Sequence, residues 1–147
     1  MEIKQTKSQK VFGREIKTSL KTIKQYVQVV PQLIIDDMIK RKIEIKGAQV
    51  WMYKGMDGKP DTVFDLTIGF PVDEGCNDES IIVFNEFKYV SLMHKGSWMN
   101  FTDSYNKIIG SIMKDNLQMS GESREIYHNV DFENQENNLT EIQIGVL

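Results

Sequence analysis

The chain has 147 residues, 40% of them hydrophobic and 27% charged, and its 18 basic and 21 acidic residues leave a formal net charge of −3. That composition excludes a disordered or collagen-like chain, and the length favours a single domain around one buried core. A lone cysteine, Cys76, excludes an intrachain disulfide framework and fits a cytoplasmic setting. No run approaches the ~20 apolar residues of a membrane span, and the opening MEIKQTKSQK lacks a signal peptide's apolar stretch, so no membrane partner is expected.

The first elements carry a basic run from Lys4 to Lys24. Its cations are interleaved with Val11, Phe12, Ile16, Leu20 and Ile23 at strand and then helix spacing. They read as a solvated face, and with a mildly acidic whole they give no expectation of direct nucleic-acid binding. From Lys21 to Lys42 the residues Ile23, Tyr26, Val27, Val30, Leu33, Ile34 and Met38 recur every three or four positions, the pattern of a helix. Pro31 inside this run implies a kink or a fresh helix start.

Ala48–Tyr53 and Thr62–Val72 read as two strands joined by the turn-rich KGMDGKP. An acidic loop, Asp73–Ser80, precedes a β-rich stretch, Ile81–His94. A second helix spans Asn100–Leu117, and two closing strands run over Arg124–Val130 and Leu139–Val146.

The order strand, helix, strand, strand thus occurs twice. Tyr26 aligns with Tyr105 at an offset of 79 residues, Tyr53 with Tyr127 at 74, and DLTIG at 65–69 with EIQIG at 141–145 at 76. Three matches in the same order indicate a tandem βαββ duplication, with units over about 9–73 and 80–147. One βαββ unit is too small to bury both faces of its sheet. The fold expected is therefore α+β: two units related by a pseudo-twofold axis, forming one antiparallel sheet with two helices and a cleft between the halves.

Strand alternation puts Leu66, Ile68, Ile142, Ile144 and Val146 on one face, under the helices, with Met52 and Ile126. Trp51, Tyr53, Glu125 and Tyr127 are then expected on the other face with Asp65, Thr67, Glu141 and Gln143. A face with indole, phenols and carboxylates suits a pocket wall or a solvated surface. Glu125 is the leading candidate, because a carboxylate among aromatic rings is desolvated and favours a cationic ligand. Glu141 and Asp65 hold equivalent places in the two units. Trp51, Tyr53, Trp98, Tyr105 and Tyr127 are candidates for the cleft walls, with helix-core contacts the alternative for Tyr105.

Other chemistry finds little support. His94 and His128 lack metal-ligand spacing, so no metal or cofactor is expected. Cys76 sits in DEGCNDE, where negative neighbours disfavour a thiolate. GxGxxG, Walker A and GxSxG patterns are absent.

VFDLTIGFPV at 63–72, MHKGSW at 93–98 with Tyr105 following, REIY at 124–127 and the closing TEIQIGVL resemble the GyrI-like small-molecule-binding family, across essentially the whole chain. That family supplies the effector-binding domains of AraC/Rob-type and MerR-type regulators and also occurs as stand-alone proteins. The resemblance implies a tandem βαββ fold that binds amphipathic, often cationic, drug-like molecules through an acid in an aromatic pocket. The family's E-x-Y glutamate falls on Glu125, its closing-strand glutamate on Glu141, and pocket tyrosines on Tyr53 and Tyr105. Gly96-Ser97-Trp98 departs from the family pattern, and its indole is expected either to pack over the start of the second helix or to reach into the seam and reshape the pocket mouth. With about ten residues before the first strand, a stand-alone binding module is expected rather than a one-piece transcription factor. The resemblance also implies two further possibilities: hydrolysis of a small electrophile with Glu125 as general acid or base, and modulation of a protein partner.

Overall fold

The computed structural model describes residues 1–147. Its eight strands are β1 (Lys4–Thr6), β2 (Gln9–Thr18), β3 (Gln49–Lys54), β4 (Phe64–Pro71), β5 (Ile81–Phe84), β6 (Phe87–Lys95), β7 (Met119–Asn129) and β8 (Leu139–Val146). Two α-helices, α1 (Val29–Lys40) and α2 (Phe101–Lys114), complete it. Pro31 marks a fresh start: a short 3-10 turn at Ile23–Gln25 precedes α1, and Pro31 falls in its first turn, where the missing N–H has no intrahelical role. No helix is long and apolar enough to cross a membrane.

The strands form one antiparallel sheet in the order β1-β6-β8-β7-β3-β4-β2-β5. The centre of this order displays the duplication. β2, α1, β3 and β4 form one unit, β6, α2, β7 and β8 the other, and the units meet at the β3–β7 pair. The short leader strands are exchanged: β1 pairs with β6 of the second unit and β5 with β2 of the first. β1 was not foreseen in the sequence. Three polar residues at a sheet edge carry no periodic signal.

The connections force the sheet to curl. Residues 7–8 join β1 to β2 and residues 85–86 join β5 to β6, yet five strands lie between the members of each pair. In a flat sheet each link would cross about 29 Å, whereas three peptide units reach only about 11 Å. The edges therefore approach one another and the sheet becomes a half-barrel. Val11, Val50, Met52 and Phe84 fill the inside of the curl, with Ile82 and Ile126 against them. Arg124 is buried there over the rings of Phe84 and Phe87, its guanidinium paired with Glu122 at 2.8 Å. Gly145 allows the close approach, since a Cβ there would lie 2.7 Å from the Glu122 carbonyl oxygen.

The other face carries the helices. α1 packs on β2 and β4 through Val30, Ile34 and Met38, and α2 packs on β6 through Ile108 and Ile112. The assignment of faces made from alternation is corrected here. Trp51 pairs with Ile68, Tyr53 with Leu66 and Glu125 with Ile142, so Trp51, Tyr53 and Glu125 share the helix-bearing face with the aliphatic residues. Met52 and Ile126 lie inside the curl with Thr67, Glu141 and Gln143. The reason is the phase between strands. Alternation fixes which residues of one strand go together, but the pairing register of Lys54 with Asp65 is set by the loop between them.

Candidate ligand-binding site

The two helices pack toward the outer strands and leave the central pair, β3 and β7, uncovered between them. A cleft of about 840 Å³ runs along this seam, within the roughly 300–1,000 Å³ of small-molecule pockets. Its floor is Trp51, Tyr53, Glu125 and Tyr127, one wall comes from α1 (Pro31, Ile35) and its lead-in (Val27), and the other from α2 (Phe101, Tyr105, Ile109). Val130, Phe132 and Trp98 close one end, and Met56, Met119 and Gly121 the other.

Glu125 is only 3% exposed, and its hydrogen-bond partners are three phenols from three elements. Tyr53 on β3 donates to Oε1 at 2.8 Å, Tyr127 on β7 donates to the same oxygen at 2.6 Å, and Tyr105 on α2 donates to Oε2. None of the protein's cations forms an ion pair with it. Burial pushes the Glu125 carboxyl above its ordinary range, and the phenol hydrogen bonds pull it back only in part. Burial and the neighbouring carboxylate hold all three phenols well above their ordinary range. They are therefore neutral donors throughout the physiological range.

The aromatic walls are linked ring to ring. Trp51 lies 5.6 Å from Tyr127 between centroids, Tyr127 lies 5.9 Å from Trp98, and Trp98 lies 5.4 Å from Phe132, all tilted or edge-on. Each indole N–H is satisfied, Trp51 by Gln49 and Trp98 by Thr140 at 3.1 Å. Trp98 is held through its neighbours as well: Ser97 caps the turn that begins there by accepting from the Met99 N–H at 3.2 Å. The Ser97 carbonyl also lies 2.8 Å from His94 Nε2, and His94 Nδ1 lies 2.6 Å from the Ser104 hydroxyl on α2.

Six of the seven residues singled out in the sequence, Trp51, Tyr53, Trp98, Tyr105, Glu125 and Tyr127, meet in this cleft. Glu141 does not. It lies on the other face of β8, 3.2 Å from His128 Nε2 and accepting from the Gln143 amide at 2.8 Å. It pairs with Ile126, one position along from Glu125, and so points the opposite way. Asp65 also faces away, paired with Lys17 at 2.7 Å. Sequence reasoning missed Gln49, Phe132, Thr140 and the bracing role of His94. Phe132 alone left a signal, a single aromatic in the otherwise polar DFENQENN.

Solved structures share this fold. The EcmrR C-terminal domain superposes with a TM-score of 0.79 at 18% identity, covering 99% of this chain and 96% of that one. In the EcmrR–DNA complex the same chain coverage and a TM-score of 0.80 apply, but this chain spans only 56% of the EcmrR chain there. SAV2435 bound to tetraphenylphosphonium gives a TM-score of 0.68 at 14% identity, covering 99% and 93%. A hydrolase encoded by lin2189 from Listeria innocua gives 0.63 at 11%, covering 99% and 91%. At such identities these likenesses establish the fold alone. No curated protein matches the chain by sequence. The profile of the GyrI-like small molecule binding domain matches residues 1–147, and the chain accordingly belongs to the GyrI-like small-molecule-binding family.

Proposed function

We propose that the cleft binds amphipathic, drug-like small molecules that carry a positive charge, in a cytoplasmic setting, with Glu125 as counter-charge and Trp51, Trp98 and the tyrosines as stacking walls. The observation that carries this reading is a buried carboxylate with three neutral donors and no cation of its own. Such a group is destabilised as an anion until a positive charge enters. A ligand cation supplies that charge, and each ring face it meets adds cation–π attraction of about 0.5–2 kcal/mol. SAV2435, which shares the fold, is seen with tetraphenylphosphonium, a molecule of this type.

Titration with tetraphenylphosphonium, followed by tryptophan fluorescence, tests the reading. Glu125→Gln is expected to weaken binding at least about tenfold, while Glu141→Gln, on the other face, leaves it unchanged. Equal affinity for wild type and Glu125→Gln would refute the electrostatic role. A second reading, hydrolysis of an electrophile with Glu125 as general acid or base, draws on its raised carboxyl. It requires turnover that disappears in Glu125→Gln.

A further inference from the structure

We propose that the three phenols make the cleft selective among cations, favouring those with no N–H at the charged centre, such as quaternary ammonium or phosphonium ions, over guanidinium ions. This rests on the cation-binding reading above and narrows the ligand class. An ionised carboxylate offers about four acceptor positions, two on each oxygen. Tyr53 and Tyr127 occupy both positions on Oε1, and Tyr105 occupies one on Oε2. A single position is left, on Oε2.

A guanidinium docks on a carboxylate through two parallel N–H bonds, one to each oxygen. That fork needs a free position on Oε1, and none exists while both phenols donate there. The phenols have no alternative use for their protons, because Tyr53 is 4% exposed and the other two hydroxyls are turned inward onto the same group. A guanidinium entering the cleft must displace a phenol or leave N–H groups without partners, and either is costly in a buried site. A primary ammonium stands between the extremes, since a single N–H can still be met by the open position or by a phenol oxygen. A quaternary cation needs no acceptor at all. It is attracted by the carboxylate's charge and by the faces of Trp51, Trp98 and Tyr127. The three phenols sit on β3, β7 and α2, so the arrangement also joins both repeats and one helix around a single group.

Isothermal titration with benzyltrimethylammonium and benzylguanidinium tests this, with tetraphenylphosphonium as reference. Wild type is expected to prefer benzyltrimethylammonium. Tyr53→Phe and Tyr127→Phe each free a position on Oε1 and are expected to shift the affinity ratio about tenfold toward benzylguanidinium. Tyr105→Phe frees only Oε2 and is expected to leave the ratio near that of wild type. The ratio of two ligands on one variant does not depend on the fraction folded, so partial unfolding cannot mimic the shift. Equal wild-type affinities, no shift in either Oε1 variant, or an equal shift in Tyr105→Phe would each overturn the selectivity while cation binding itself stands. If tetraphenylphosphonium also fails to bind wild type, the cation reading fails, and this inference fails with it.

Discussion

Trp51 and Glu125 stand directly opposite each other on the β3–β7 pair, and the pseudo-twofold axis of the duplication passes between them. The 74-residue offset that carries Tyr53 onto Tyr127 carries Trp51 onto Glu125. Each is thus the other's counterpart in the repeat. Symmetry supplies two equivalent tyrosines that converge on one oxygen. The departure from symmetry supplies one carboxylate against one indole, where two glutamates would have faced each other and repelled. The floor of the cleft is therefore chemically lopsided inside a symmetric frame.

The raised Glu125 carboxyl makes the stability of the empty protein depend on pH. Folding favours the protonated form, so the contribution is fully present below the unfolded carboxyl range near pH ~4 and is lost as pH rises through the higher folded value. Glu125→Gln removes this loss. Its melting temperature is expected to exceed that of wild type at neutral pH, with the gap closing as pH falls toward 4. Thermal melts across pH 4 to 8 check this, and parallel curves for the two proteins would count against a strained carboxylate.

Cation binding carries the opposite dependence. The anion is the binding form, so affinity for tetraphenylphosphonium is expected to fall about tenfold per pH unit once the pH lies below the raised carboxyl value. Glu125→Gln should show a flat profile. Titrations in buffers of different ionisation enthalpy would report proton release in the same range.

Trp98→Phe keeps a ring over Tyr127 and Phe132 but removes the indole N–H that Thr140 accepts. A cost of about 1–3 kcal/mol in chemical denaturation is expected, since Thr140 is fully buried and loses its donor. The variant also leaves Trp51 as the sole tryptophan. Ligand quenching should persist in it, because Trp51 lines the floor; loss of all quenching would place the ligand elsewhere.

Two glycine substitutions should act with opposite signs. Gly145→Ala puts a Cβ 2.2 Å from the Ser120 hydroxyl and 2.7 Å from the Glu122 backbone oxygen, and only the first can move aside. A loss of about 1–3 kcal/mol is expected from this overpacking. Gly110→Ala lies within α2 with nothing within 4 Å, and should stabilise by about 0.5–1 kcal/mol through helix propensity alone. Denaturant midpoints for the pair separate the two effects.

Much of this was legible in the residues. Periodicity marked both helices, and the turn formers of KGMDGKP marked the first hairpin. The matches of Tyr26 with Tyr105, Tyr53 with Tyr127 and DLTIG with EIQIG expose the duplication in the sequence, because repeated units keep their side-chain phase when loops change length. Glu125 stood out as a carboxylate expected on the same sheet face as Trp51, Tyr53 and Tyr127. The exchange of β1 and β5 was not legible, since pairing between edge strands and the opposite unit leaves no local pattern.

The sequence by itself determined the elements, their repetition and the set of aromatic and acidic residues from which a site could be built, because each of these depends on residues close along the chain. Only the tertiary structure decided which way they face. Both surfaces of the sheet carry apolar residues, one against helices and one inside the curl, so alternation alone could not tell them apart. Cross-strand register settled it, turning Glu141 away from the cleft and bringing Tyr53, Tyr105 and Tyr127 onto Glu125 from three separate elements.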